Sequence, residues 1–143
     1  IFYQLNSILD GVDGEIARAA MKKSRFGGYF DSILDRYVDF FVLLGLAIYM
    51  KPGIWMWGII SLALFGSFMV SYSTERYKGE YFTDIYKSIP QMKYLLGKRD
   101  ERVFLTMIFS LVNQLRLLFM LLAVITHVRV FVTIYFVWRR QKT

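Results

Sequence analysis

The segment spanning residues 9–39 concentrates acidic side chains between apolar stretches. Asp10 and Asp13 are three residues apart, and Asp31 and Asp35 are four residues apart. Residues at these spacings lie on one face of a helix, about one turn apart. Carboxylates are costly in or near a bilayer, so their presence beside apolar segments indicates that they bind something. The spacing therefore predicts two carboxylate pairs on two helices.

We expect the two pairs to meet, because a short loop joins their helices, which then pack antiparallel. Four like charges stay together only if cations neutralise them. The chain has no cysteine and one histidine, His127, so the ligands are hard oxygens, which favour Mg²⁺ or Mn²⁺ over zinc. Bound Mg²⁺ usually keeps positions open for substrate phosphates.

Small residues surround these acids. Glycine destabilises a helix by up to about 1 kcal/mol relative to alanine, but it lets a ligand approach the backbone closely. Arg18 adds a fixed positive charge suited to phosphate oxygens. The pattern indicates a phosphate-bearing ligand beside the metal site. The small residues are Gly11, Gly14, Ala17, Gly27 and Gly28.

Other interpretations explain the acidic segment less well. Its two Asp-Gly pairs are typical of hairpin turns, but the flanking residues have a helical period. An EF-hand needs acids at alternate positions before its glycine, whereas these stand at Asp10, Asp13 and Glu15. A solvated helix end with capping acids is the strongest alternative. It explains one or two aspartates, but not two pairs with four glycines.

The elements that carry these residues are predicted to form an all-α, multi-pass transmembrane bundle. Hydrophobic residues make up 56% of the 143-residue chain, above the roughly half that is usual in soluble domains. Five helices are predicted, at about 2–22, 28–50 and 54–76, one beginning near 101, and 117–138. Four or five of them would cross a core of about 30 Å. The fourth is short, and the last two form either separate helices or one kinked element.

A polar and aromatic stretch separates the third and fourth predicted helices. Its apolar residues recur at helical spacing, which predicts a surface helix on the membrane. We expect residues 1–143 to form one membrane domain, truncated at its N-terminus because Ile1 begins inside an apolar run. The apolar residues of the stretch are Tyr81, Phe82, Ile85, Tyr86 and Ile89.

Basic residues are unevenly distributed over this topology. Fourteen lysines and arginines fall on the side of the acidic segment, and Lys51 and Arg116 fall on the other. The positive-inside rule then places the acidic segment on the cytoplasmic side of the cell membrane. The net charge of +7 indicates an anionic lipid surface and no nucleic acid partner.

The acidic segment resembles a known family signature. The order D-x2-D-G-x2-A-R-x8-G-x3-D-x3-D is similar, position for position, to that of the CDP-alcohol phosphotransferases, also called CDP-alcohol phosphatidyltransferases. It covers about a fifth of the chain, and the helix order extends the similarity loosely. The eight matching residues are Asp10, Asp13, Gly14, Ala17, Arg18, Gly27, Asp31 and Asp35.

The resemblance implies a reaction and a role for each matching residue. A CDP-alcohol donor binds through its pyrophosphate, an acceptor hydroxyl attacks the β-phosphorus, and CMP leaves. Asp35 would also be the base for that hydroxyl, and two divalent ions would clamp the pyrophosphate. The implied metal ligands are Asp10, Asp13, Asp31 and Asp35. The implied nucleotide-site residues are Gly14, Ala17, Arg18 and Gly27.

Basic residues near the acidic segment bear on the acceptor. Arg76, Arg102 and Arg129 are candidate ligands for an acceptor that carries its own phosphate, such as inositol phosphate or glycerol phosphate. Lys98 and Arg99 are basic residues of the same region. In the alternative interpretation, these two only orient the protein in the membrane, and Arg129 forms an ion pair between helices.

A narrower similarity bears on the substrates. The "GKRDERVF" segment and the C-terminal tail are similar to the membrane part of archaeal di-myo-inositol phosphate phosphate synthases. This implies CDP-inositol plus inositol phosphate. The alternative is a phosphatidylinositol-phosphate or phosphatidylglycerol-phosphate synthase that uses a CDP-linked lipid. A homodimer is compatible with either.

An ion-coupled transporter is the distant alternative. Intramembrane acids and Arg129 can mark an ion pathway, but a transporter spreads ionisable groups through the membrane depth. This chain has no acid between residues 45 and 73 or after residue 102. The clustering of acids on one side favours an enzyme.

Overall fold

The computed structural model describes residues 25–140, and that part of the chain is helical with no strand. The helix predicted at 2–22 lies outside the described residues. The elements in chain order are α1 (Arg25–Tyr49), α2 (Ile54–Tyr81), α3 (Ile85–Ser88), a 3₁₀ turn (Pro90–Lys93), α4 (Arg99–Leu111) and α5 (Leu115–Arg140). The all-α prediction is confirmed.

The chain divides into two compact units, Ile1–Val42 and Leu43–Thr143. The described part of the first unit is residues 25–42, which form the first turns of α1 and carry the second half of the acidic segment. Aromatic rings pair along this helix, with Phe26 stacked on Phe30 at 5.9 Å and Tyr37 on Phe41 at 6.2 Å between centroids. Each pair is four residues apart, the spacing at which helix neighbours touch.

The second unit is organised by α2 and α5, which pack side by side in the same direction. Their first halves share a core of Ile60 and Ala63 from α2 with Leu118 and Leu122 from α5. Near the middle, a Cβ at Gly66 would collide with Thr126 Oγ1 and lie 2.8 Å from the His127 ring. The missing side chain therefore lets the two backbones approach closely.

Two of the described helices are long and apolar enough to cross a membrane, namely α2 with 28 residues and α5 with 26. At 1.5 Å per residue they are about 40 Å long, beyond the roughly 30 Å of a bilayer core. At 13 residues, α4 reaches only about 20 Å. It runs back along the first half of α5.

Helix ends differ from the sequence prediction where polar residues continue a helix. The predicted end of the third helix, residue 76, is wrong because α2 continues to Tyr81. Lys, Glu and Arg are good helix formers, so loss of hydropathy does not end the helix. Phe82 ends it with a left-handed φ of 51°. Asn113, with φ of 54°, separates α4 from α5, which excludes one continuous element.

The surface helix predicted between α2 and α4 is instead a folded connection, residues 82–98. Pro90 begins the 3₁₀ turn after a one-turn α3, because proline lacks the N–H that a longer helix requires. Ile85, Ile89 and Met92 are buried in a small core with Tyr77 of α2. The predicted apolar face therefore exists, and much of it packs on the protein.

Candidate functional site

The acidic segment is described from α1 onward. Asp31 and Asp35 lie four residues apart on this helix, with Asp31 exposed and Asp35 half-buried. Their spacing places both on one face, as predicted. Gly28 has open space around it in the described part of the chain, which suits close approach of a ligand to the backbone. Asp39 continues the helix one turn further.

The remaining signature residues fall outside the described residues, except Gly27 in the first turn of α1. These are Asp10, Asp13, Gly14, Ala17 and Arg18, so their convergence on Asp31 and Asp35 stays a prediction. No group of three or more acidic or histidine side chains comes together between residues 25 and 140.

The chemistry of the described donors fits a divalent cation. Asp31 and Asp35 offer carboxylate oxygens one helical turn apart, which are the ligands that Mg²⁺ and Mn²⁺ prefer. Two carboxylates fill only part of an octahedral shell. The predicted metal site thus needs the second pair, Asp10 and Asp13, as well.

Arg102 lies inside the second unit and is 5% exposed. Its guanidinium donates to the Ser67 carbonyl, and also to the Ser71 hydroxyl at 3.3 Å. The Ser67 hydroxyl is buried without a hydrogen-bond partner among the described residues. Arg102 therefore joins α4 to α2 through polar groups buried inside the second unit.

Arg129 is 2% exposed in the middle of α5. It donates to the carbonyls of Leu95 and Leu96, the latter at 3.0 Å, and to the Tyr86 hydroxyl at 2.9 Å. The ion pair weighed as an alternative for Arg129 is not formed with any described residue. Its contacts are neutral oxygens of the 82–98 connection, which Arg129 ties to α5.

Gly97 lies directly against the Arg129 side chain. Its φ is 103°, and a Cβ there would lie 3.2 Å from Arg129 Cδ and 3.1 Å from Ile125. Glycine alone adopts such a φ readily. The next residues start α4, where Glu101 accepts the N–H groups of Gly97 at 2.6 Å and of Lys98 at 3.1 Å. This arrangement caps the helix.

Arg76 is different from the other two candidates. Its side chain is 65% exposed and forms an ion pair with Glu80, one turn later on α2. Exposed pairs of this kind contribute little to stability, about 0–1 kcal/mol. Arg76 is therefore accessible, whereas Arg102 and Arg129 are enclosed by protein.

Two basic residues of this region, Arg140 and Lys98, make four contacts that the sequence patterns did not indicate. Arg140, near the end of α5, donates to the Tyr77 hydroxyl at 3.0 Å and to the Ser88 carbonyl at 3.3 Å. Lys98 donates to the Lys93 carbonyl at 2.6 Å and lies 5.7 Å from the Tyr86 ring centroid. None of the four contacts follows the three- or four-residue spacing of a helix face.

Comparison with known proteins gives one family over nearly all of the chain. The family model described as CDP-alcohol phosphatidyltransferase matches residues 1–135. The chain is 54% identical over 141 residues to the bifunctional IPC transferase and DIPP synthase of Aquifex aeolicus, covering 99% of this chain and 33% of that protein. The protein of the same name from Thermococcus kodakarensis is 54% identical over 145 residues, with 98% and 33% covered.

A third relative has a different name. The archaetidylinositol phosphate synthase of Pyrococcus horikoshii is 35% identical over 126 residues, covering 88% of this chain and 62% of that protein. The chain thus spans about a third of the length of the two bifunctional relatives.

Proposed function

Because the chain belongs to the CDP-alcohol phosphatidyltransferase family, we propose that it transfers a substituted phosphate group from a CDP-alcohol to an acceptor hydroxyl and releases CMP. The observation that carries this proposal is the complete eight-residue signature, from Asp10 to Asp35, within a chain that the family model matches almost throughout. The aspartates of the signature offer metal ligands and a base, Arg18 offers a positive charge, and its small residues leave room for the nucleotide.

The best-supported substrates are CDP-inositol as donor and inositol phosphate as acceptor. Support comes from two relatives named IPC transferase and DIPP synthase, each 54% identical to this chain. The second candidate is a CDP-linked lipid donor, favoured by the relative named archaetidylinositol phosphate synthase. In both reactions an acceptor hydroxyl attacks the phosphate of a CDP-linked donor. The two reactions differ in the alcohol that the donor carries.

The transfer can be written with the residues of this chain. The acceptor oxygen forms a bond to the β-phosphorus of the donor, and the bond from that phosphorus to the bridging oxygen breaks, so that CMP leaves with that oxygen. Asp35 takes the proton of the acceptor hydroxyl. A base within hydrogen-bond reach contributes about 10²–10⁴-fold in rate. Arg18, Gly14, Ala17 and Gly27 hold the nucleotide.

The aspartates have a second task, which is to hold two divalent ions, Mg²⁺ or Mn²⁺. When bound, these ions neutralise the pyrophosphate and stabilise charge on the departing phosphate. Asp10, Asp13, Asp31 and Asp35 would be their protein ligands. Asp31 and Asp35 fit this task because they present oxygens on one face of α1.

The acceptor phosphate is assigned to Arg76, Arg102 and Arg129. Arg129 supports this assignment because its hydrogen-bond acceptors are neutral oxygens, and no carboxylate of residues 25–140 pairs with it. A buried cation that lacks a counter-ion is costly, and an acceptor phosphate would supply one. The exposed Arg76 would meet the acceptor first.

We further propose that residues 1–143 form one multi-pass membrane domain with its active site on the cytoplasmic side. The two apolar helices α2 and α5 support the membrane location, and the uneven distribution of lysine and arginine supports the sidedness.

The test is CMP release by the purified chain in lipid nanodiscs with Mg²⁺. CDP-inositol and CDP-diacylglycerol are compared as donors, each with inositol phosphate, glycerol phosphate and inositol as acceptors. The expected result is CMP release only with a phosphate-bearing acceptor, and fastest with CDP-inositol. Rapid CMP release with CDP-diacylglycerol and an acceptor, but not with CDP-inositol, would select the second candidate. No release with any pair would reject the family's reaction for this chain.

A further inference from the structure

A cavity of about 790 Å³ opens where α2 and α5 begin. The last turn of α1 forms one wall with Ile48 and Tyr49, and Met50 and Lys51 follow it. The α4–α5 turn and the first residues of α5 form the other wall. Ligand sites in proteins commonly enclose about 300–1,000 Å³, so a head group or a small phosphorylated molecule fits here.

The polar residues that line this cavity favour an anion. They are two cations, Lys51 and Arg116, and two amides, Asn113 and Gln114, and no acid lines the cavity. Neither cation forms an ion pair with any acid of the described part of the chain. Two like charges in one cavity repel each other. An anion bound between them attracts both and offsets this repulsion.

These two cations are also exceptions in the charge pattern of the chain. The other basic residues that orient the bundle lie on the opposite side of the predicted topology, and Lys51 and Arg116 work against that orientation. They are far apart in the sequence, yet the fold brings both to one cavity. Binding of an anion accounts for their position, whereas membrane orientation does not.

The surroundings of the cavity are those of a membrane interface. Tyr49 is 72% exposed, and Trp55 and Ile54, at the start of α2, are 90% and 84% exposed. Tyrosine and tryptophan at the ends of apolar helices lie at the level of lipid head groups. The ligand that is abundant at this depth and carries a negative charge is the phosphate of a phospholipid.

We propose that this cavity binds a phosphate group, with Lys51 and Arg116 as its charged ligands and the amides of Asn113 and Gln114 as hydrogen-bond donors. The phosphate belongs either to a phospholipid head group or to a soluble molecule. Basic pockets between membrane helices bind lipid head groups in this way. This site is separate from the proposed acceptor site, since it lies at the opposite ends of α2 and α5 from residues 82–98.

The experiment measures binding to the full chain in uncharged detergent. The probes are dioleoyl phosphatidic acid, dioleoyl glycerol, which lacks the phosphate, and inorganic phosphate. Lipid adducts are counted by native mass spectrometry, and stabilisation is measured by thermal unfolding. The variants are Lys51→Gln, Arg116→Gln and the double variant. Lys87→Gln is the matched control, because Lys87 is an exposed lysine in α3, which follows the far end of α2.

We expect phosphatidic acid to bind and dioleoyl glycerol not to. Each single variant should weaken binding by about tenfold, the scale of one hydrogen bond to a charged group, and Lys87→Gln should leave binding unchanged. The charge-keeping pair Lys51→Arg with Arg116→Lys should retain binding, which separates loss of charge from loss of fold. If inorganic phosphate stabilises the protein with the same dependence on the variants and phosphatidic acid does not bind, the ligand is a soluble phosphate. Equal binding of phosphatidic acid by the double variant and the wild type would overturn the proposal.

Discussion

The Tyr86 hydroxyl accepts a hydrogen bond of 2.9 Å from the Arg129 guanidinium, and the guanidinium carbon lies 5.9 Å from the centroid of the Tyr86 ring. These two residues join the 82–98 connection to the middle of α5. The same guanidinium donates to the carbonyls of Leu95 and Leu96. One buried side chain therefore fixes the connection at two points before the chain enters α4 and reaches Arg102.

Loss of Arg129 should destabilise the protein more than loss of the Tyr86 hydroxyl. Arg129→Ala removes three hydrogen bonds, each worth about 0.5–1.5 kcal/mol and up to about 3 kcal/mol where the donor is charged, and it takes the donor away from the Leu95 and Leu96 carbonyls. Tyr86→Phe removes one bond, worth about 0.5–1.5 kcal/mol. Denaturant unfolding in detergent measures both. Equal stability of Arg129→Ala and wild type would contradict the role of Arg129 as a tie.

A substitution at Gly97 should be harmful because of its backbone and its neighbours. At φ of 103°, with Arg129 Cδ 3.2 Å from the added Cβ, Gly97→Ala should destabilise by about 1–2 kcal/mol or more. Gly79→Ala is the matched control, since Gly79 lies in α2 with open space around it. That variant should stabilise by about 0.5–1 kcal/mol. Thermal unfolding of the two variants under one condition gives the comparison. A Gly97→Ala variant as stable as the wild type would contradict the left-handed conformation of Gly97 and its contact with Arg129.

The close contact of α2 with α5 can be tested with a second pair of glycine variants. Gly66→Ala should force the helices apart, because its Cβ would collide with Thr126 Oγ1, at a cost of about 1–3 kcal/mol. Gly58→Ala, in the same helix but with open space around it, should be neutral or slightly stabilising. Thermal unfolding measures the difference. Similar midpoints for both variants would argue against the close approach of α2 and α5.

The acceptor assignment predicts a selective change in kinetics. Replacing Arg76, Arg102 or Arg129 with alanine should weaken acceptor binding by about 1.5–3 kcal/mol, the scale of a hydrogen bond to a charged group. The KM for the CDP donor should change little. Steady-state kinetics with each substrate varied in turn measures both constants.

Tyr86→Phe serves as the control for Arg129, because it removes a partner of the guanidinium and keeps the positive charge. It should raise the acceptor KM less than Arg129→Ala does. If the arginine variants raise only the donor KM, the basic residues serve the pyrophosphate and the acceptor assignment is wrong.

The sequence predicted those structural features that depend on neighbouring residues better than those that depend on residues far apart in the chain. Apolar runs predicted the helices that became α1, α2 and α5, and Pro52 and Asn113 stand in the breaks between helices. The end of α2 was missed because hydropathy falls before helix propensity does. The partners of Arg129 were missed because Tyr86 is 43 residues away, and no periodic pattern relates two such positions.

In the candidate site, too, some features follow from local spacing and others depend on how helices pack. The position of Asp31 and Asp35 one turn apart follows from a spacing of four, and α1 contains both residues; their role as a metal-binding pair stays a prediction. The convergence of Asp10 and Asp13 on them depends on how two helices pack, and it stays a prediction. Lys51 and Arg116 were seen as charges on one side of the membrane, and only the fold showed that they share a cavity.

The central claim is that the Asp10–Asp35 signature performs the phosphotransfer, and CMP release by Asp35→Asn tests it most directly. This variant keeps the size of the side chain and removes its charge. The control is Asp39→Asn, one turn further along α1 and outside the signature. With CDP-inositol and inositol phosphate, Asp35→Asn should release CMP at least about 10²-fold more slowly than wild type, as expected for a general base. The control should remain within a few-fold of wild type. CMP release by Asp35→Asn at the wild-type rate would contradict the account.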